Sequence, residues 1–132
     1  MKVVALDYGS ARTGVAVSDP TGTIARPLGV VERAATDDGL AQVARIVRDE
    51  GAERVVVGLP LTLRGEHGAQ ARETEAFVTA LRGAVDVPVE SFDERFTTGL
   101  AQRLGSDDAP EDARAAAHLL SSYLEWSSAG RE

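Results

Sequence analysis

Apolar positions along the chain fall into short continuous runs separated by helical stripes. Val3 to Leu6 is an apolar run ending in Asp7, turn-forming residues occupy Tyr8 to Thr13, and Gly14 to Val17 runs back towards Ser18. This predicts a β-hairpin with a carboxylate near its tip. Ile24 to Val31 predicts a third strand, placed at a sheet edge because Pro27 has no amide hydrogen for an inner ladder. Asp37 and Asp38 open a helix in which Leu40, Val43, Ile46 and Val47 share one face, and Gly51 closes it. Val55 to Val57 is a β-branched run of the kind buried on both faces, ended by Gly58, Leu59 and Pro60. Residues 61–68 carry two glycines and no periodicity, which predicts a mobile loop over the strand ends. A helix over 70–82 turns Thr74, Phe77, Val78 and Leu81 inward, and Val87 to Phe92 makes a fifth strand leading into Asp93, Glu94 and Arg95. Thr97 to Leu104 predicts a short helix and Gly105 to Ala109 a loop. Pro110 to Ser127 predicts the last helix, with Pro110 at its first position and Ala113, Ala116, Ala117, Leu120 and Leu124 on one small-residue face.

The order of predicted elements is therefore βββαβαβα(α), counting the short helix at 97–104 and the last helix together at the end. Strand, helix, strand connections at this spacing favour parallel crossovers, so strands one, four and five are expected to be parallel. Strands two and three join them as a meander. The fold class is α/β, a five-stranded mixed sheet in the order 3-2-1-4-5 with strand 2 antiparallel, flanked by helices. In such sheets sites gather beyond the carboxyl ends of the parallel strands. Asp7, Gly58 to Pro60 and Asp93 to Glu94 all fall there.

A carboxylate that ends a buried strand is costly unless a cation or hydrogen-bond donors meet it. Asp7, Asp93/Glu94 and Asp112 form three acidic clusters able to converge at one edge, where they would repel one another without a cation. Hard oxygen ligands of this kind suit Mg²⁺ or Mn²⁺, and two such ions would serve metal-dependent phosphodiester hydrolysis. Alternation alone leaves Asp93 and Glu94 both open. If strand four lies between strands one and five, the acids start roughly 10 Å apart. Glu94 has the longer arm and Gly58 has no side chain to block the crossing, so Glu94 is preferred and Asp93 is the alternative acid. Asp19 belongs at the opposite end of the hairpin. Each acid also has a structural reading: Asp7 as an Asx-turn residue bonding the amides of Gly9 and Ser10, Glu94 as a strand-end partner of Arg95, and Asp112 as a helix N-terminal carboxylate. Arg12, Arg64 and Arg95 are candidate phosphate contacts. His118, about 240° round the helix from Asp112, is expected to face elsewhere, and Trp126 to be a packing aromatic.

The 132 residues predict one domain over 1–132. The absence of cysteine excludes disulfides and thiolate metal sites, and two distant histidines, His67 and His118, give little support to a histidine-based metal site. No apolar stretch reaches membrane-spanning length, and the chain starts directly with a strand, so a cytoplasmic protein is expected. A net charge of −7 argues against non-specific coating of nucleic acid, while leaving room for an enzyme that touches it locally.

The segments LDYGSARTGVAVSD, VVGLPLTLRG, FDERFTT and DARAAAHLLSSYL together resemble the YqgF/RuvX family of small ribonuclease H-like proteins, over nearly the whole chain. The resemblance implies a ribonuclease H-like fold and a metal-dependent nuclease that trims the 5′ end of the 16S rRNA precursor. Junction resolution by a dimer is the alternative, so the expected partner is structured RNA or branched DNA, and the chain a monomer or homodimer. By the same resemblance Asp7, Glu94 and Asp112 are the acidic, metal-holding positions and Arg12 and Arg95 basic ones. The segment GSDDAPED is acidic where the family is often basic. Two readings from other classes are an ATP-binding module like those of the actin and sugar-kinase ATPases, and a non-catalytic nucleic-acid module.

Overall fold

The computed structural model describes residues 1–61, 64–94 and 109–128. Its elements are β1 (Val3–Asp7), β2 (Arg12–Ser18), β3 (Ala25–Glu32), α1 (Asp37–Glu50), β4 (Arg54–Leu59), α2 (Ala69–Arg82), β5 (Val89–Asp93) and α3 (Glu111–Ser128). The five strands form one sheet in the order β3-β2-β1-β4-β5. β1, β4 and β5 are parallel neighbours, and β2 is antiparallel to both β1 and β3. This is the topology the spacing predicts. The predicted helix at 97–104 and the loop from 105 to 108 lie outside the described residues.

Local chemistry sets the ends of the elements. Thr36 caps α1 by accepting the Gly39 amide at 3.1 Å, and Gly51 ends it in the left-handed region at φ 66°. On β3 the register passes from Val15–Gly29 to Ala16–Pro27, so Leu28 is a bulge residue and the proline sits on an edge strand. β5 begins two residues later than predicted. Pro88 cannot donate, but its carbonyl accepts the Val55 amide at 2.9 Å and starts the ladder. Pro110 is not the first helical residue of α3: its carbonyl accepts the Arg114 amide at 3.0 Å, which makes it the cap.

Period-two alternation divides the sheet residues between two cores. Val4, Leu6, Val15, Val17, Val55 and Val57 pack with Val43, Val47, Phe77 and Leu81 from α1 and α2. Val3, Ala5, Ala16, Val56 and Phe92 pack with Ala116, Ala117, Leu120 and Leu124 from α3. Small residues on both sides, Ala5 and Ala16 on the strands and Ala116 and Ala117 on α3, let the helix lie close to the sheet. At Gly14 an added Cβ would lie 1.8 Å from the Asp112 carbonyl oxygen. That position admits no side chain while the first turn of α3 stays where it is.

Gly14→Ala is expected to lower unfolding stability by about 2–3 kcal/mol through overpacking against backbone. Gly29→Ala, where an added Cβ meets nothing within 4 Å, is expected to change it by less than about 0.5 kcal/mol. Urea denaturation of both variants checks the pair; equal stabilities would mean α3 is free to move away from β2.

Candidate active site

The carboxyl edge of the parallel strands carries the acids, and strand parity selects which of them meet. Asp7 continues the Val3 and Ala5 positions, whose side chains belong to the α3 core. On β5, Phe92 packs in that same core and Glu90 accepts a hydrogen bond from the Tyr123 hydroxyl of α3 at 2.5 Å. Glu94 is in phase with Glu90 and Phe92, whereas Asp93 is in phase with Val89, which packs on the α1/α2 side. Alternation therefore does separate the two acids once the position of α3 is known.

Glu94 reaches Asp7 across β4. Gly58 makes the path: an added Cβ there would lie 2.6 Å from Glu94 Oε2 and 3.1 Å from Leu119 Cδ2. The Glu94 and Asp7 side chains share a hydrogen bond. With Ala115, His118 and Leu119 they line a cavity of about 180 Å³.

Two carboxylates held this way oppose each other's ionisation. Burial, the Asp7 charge, the hydrogen bond to Asp7 and the Asp93 charge together push Glu94 up to about 7. Burial and the Asp112 charge raise Asp7, while the hydrogen bond from Glu94 acts in the opposite direction. The pair thus retains one shared proton up to near neutral pH in the absence of a cation.

Asp112 is beside this pair but engaged elsewhere. Its Oδ2 lies 3.1 Å from Arg12 Nε, with the two side chains 37% and 65% exposed. An ion pair so open to water contributes at most about 1 kcal/mol, so it can be exchanged for another partner. Among the described residues no group of three or more His, Asp or Glu side chains is gathered to hold a metal ion. Asp7 and Glu94 nevertheless supply the donor chemistry: hard oxygens, partly buried, with a repulsion that a divalent cation would relieve.

The remaining candidates separate clearly. The Asx-turn role for Asp7 is not seen, because the Gly9 amide is directed to Thr13 Oγ1 at 3.4 Å. Arg64 is exposed beside Gly65 and forms no ion pair with the acids among the described residues. Arg95 lies outside the described residues. Asp19 closes the β2–β3 turn at the other end of the sheet, accepting the Thr23 and Ile24 amides at 2.8 Å each and the Thr21 hydroxyl, and these bonds hold it well below the usual carboxylate range. Trp126 packs against Phe92 and Tyr123, with ring centroids 5.3 and 6.0 Å apart.

His118 corrects the sequence expectation, because it lines the acid cavity instead of facing elsewhere. Asp112 was the wrong angular reference: it sits at the edge of the helix face, against β2, while the cavity lies over Ala115 and Leu119. His118 is only about 60° from Ala115 on the helical wheel. Choosing the small residue Ala115 as the centre of the face would have found it. A larger cavity of about 280 Å³ lies at the opposite edge of the sheet, between the C-terminal ends of α1 and α2 near Arg48, Gly51 and Asp86. It does not touch the paired carboxylates.

The family model described as "RuvX: Holliday junction resolvase" matches residues 1–126. The chain belongs to the RuvX family. It is 47% identical over 102 residues to a Chloroflexus aggregans protein named "Putative pre-16S rRNA nuclease", covering 77% of this chain and 72% of the relative. It is 39% identical over 139 residues to a Desulforudis audaxviator protein of the same name, covering 99% of each. Among solved structures, T. thermophilus RuvC in complex with Holliday junction substrate superimposes with a TM-score of 0.72 at 19% identity, over 98% of this chain and 96% of RuvC. The fowlpox virus Holliday junction resolvase does so at 0.56 and 13% identity, over 96% and 99%. These likenesses establish a shared ribonuclease H-like fold for this RuvX protein. None of its described helices is long and apolar enough to cross a membrane.

The shared proton has a measurable consequence for stability. Glu94 ionises near its ordinary value of 4.5 when unfolded and at about 7 when folded. The folded state therefore binds more protons between those values, and stability falls as pH rises through that window; Asp7 acts with the same sign. Glu94→Gln, measured by denaturation in EDTA, is expected to match the parent protein near pH 4 and to exceed it near pH 8. Allowing for solvent screening at this partly exposed position, the excess is about 1–2 kcal/mol. Parallel pH profiles for the two proteins would show that no such proton is held.

Proposed function

We propose that this RuvX protein is an endonuclease that hydrolyses phosphodiester bonds and acts in 5′-end processing of the 16S rRNA precursor. The observation that carries the reading is the convergence of Asp7 and Glu94 across Gly58, beneath the first turns of α3. The name borne by the relatives supports the substrate assignment. Asp7, Glu94 and Asp112 would hold Mg²⁺ or Mn²⁺, two ions in the full site, which would activate the attacking water and stabilise the developing charge at phosphorus.

The chain's own groups prepare the site for that chemistry. Glu94 and Asp7 hold a proton that a bound cation would have to displace, so its affinity would rise with pH through neutrality. Arg12 keeps Asp112 in an exposed pair near the acids, and its exchange onto a substrate phosphate would free the Asp112 carboxylate for the cation. Arg12, Arg64 and Arg95 are assigned to substrate phosphates. Asp93 is assigned no part in the reaction, since its strand phase places it with Val89. Gly58 keeps the path across β4 open, and Leu119 excludes water from its flank.

A second reading, resolution of four-way DNA junctions by a dimer, is favoured by the description of the matching family model. It uses the same acids but requires two such active sites related by a two-fold axis, to cut opposing strands.

Incubation with Mn²⁺ or Mg²⁺, a precursor-rRNA 5′ leader fragment and a four-way DNA junction separates the readings. Cleavage of the RNA alone is expected, abolished by EDTA and reduced about 10²–10³-fold by Asp7→Asn or Glu94→Gln. Symmetrical cuts in the junction would favour the resolvase, and absence of metal-dependent cutting of either would sink the nuclease reading.

A further inference from the structure

Beyond the acids, α3 carries two buried polar atoms with no hydrogen-bond partner among the described residues, Arg114 Nε and His118 Nε2. Buried polar groups in folded proteins are nearly always paired, so an unpaired one needs an explanation. Here two occur four residues apart on one helix, where side chains are surface neighbours. Both residues line one cavity of about 400 Å³, together with Glu111 and Ala115. His118 and Ala115 also line the cavity that holds Asp7 and Glu94. The two cavities therefore share Ala115 and His118 as a wall, and Arg114 lines the second beside the paired acids.

We propose that Arg114 and His118 form a phosphate subsite that takes a phosphodiester adjacent to the scissile one, carrying the substrate strand from the acid cavity along α3. The assignment rests on the nuclease reading above for its substrate class. A guanidinium presents a fixed fork of donors that matches phosphate oxygens and cannot ligate a cation, which separates this cavity from the acid one. The imidazole Nε2 of His118 can supply a second hydrogen-bond donor beside it. Glu111, exposed on the same cavity, disfavours a free dianion more than the single charge of a backbone phosphodiester. The subsite is thus suited to a phosphate delivered as part of a chain.

The test reads the histidines of the full chain by NMR in EDTA, where no cleavage occurs. The probes are a short single-stranded RNA, the same sequence with uncharged methylphosphonate linkages, and inorganic phosphate. His67, whose Nε2 is 3.4 Å from Glu75 Oε2 in an exposed pair, serves as the internal reference. With the phosphodiester RNA the His118 signals are expected to shift saturably while those of His67 stay, and Arg114→Gln is expected to weaken that binding about tenfold. In the cleavage assay the same variant is expected to raise KM by a similar factor with kcat little changed. An unmoved His118, an equal response to the uncharged RNA, a stronger response to inorganic phosphate, or unaltered binding by Arg114→Gln would overturn the subsite. The outcomes remain separable from those of the nuclease reading. A His118 response without any metal-dependent cleavage supports the subsite and removes the nuclease, whereas cleavage lost in Asp7→Asn but with RNA binding and KM indifferent to Arg114→Gln does the reverse.

Discussion

The close approach of α3 to the sheet is the constraint on which the rest of the structure depends. It is possible because small residues meet at the N-terminal part of the helix: Ala5, Gly14, Ala16 and Gly58 on the strands, Ala113, Ala116 and Ala117 on the helix. A helix that near brings the Asp112 backbone onto β2 and roofs Asp7 and Glu94 with Ala115, His118 and Leu119. Were the helix raised by a single side chain at Gly14, the carboxylates would be open to water and would lose the burial that perturbs them.

The site is the least comfortable part of an otherwise consistent core. Apolar packing on both faces of the sheet overdetermines where β1, β4 and β5 end, and the carboxylates are carried to that edge whether or not their charges agree. Their disagreement is what a bound cation would relieve. Arg12 already shows the alternative solution, a counter-charge supplied by the protein, but it reaches only Asp112 and does so in solvent. The deeper pair is left with a shared proton.

The same geometry is widely shared. A RuvC protein at 19% identity keeps this architecture over nearly the full length of both chains, because the sheet, its order and the covering helix are set by apolar patterning that many sequences satisfy. The fold alone does not specify a substrate. The residues of α3 in the proposed subsite, Arg114 and His118, stand apart from the packing alanines.

Strand runs, the Gly51 end of α1 and the Asp7 and Glu94 carboxylates at one sheet edge were legible in the sequence, since short-range periodicity and helix-end chemistry decide them and the crossover spacing decides strand order. The absence of a side chain at Gly58 could also be read as an open path. Three things could not be read that way. Alternation could not choose between Asp93 and Glu94, because both faces of the sheet are covered and only the placement of α3 says which face holds Asp7. The function of Gly14 was invisible, because the backbone it accommodates lies nearly a hundred residues away in the chain. His118 was assigned to the wrong face because helical angles give relative directions only; the packing of α3 against β2 sets their origin, and packing is a property of the assembled tertiary structure.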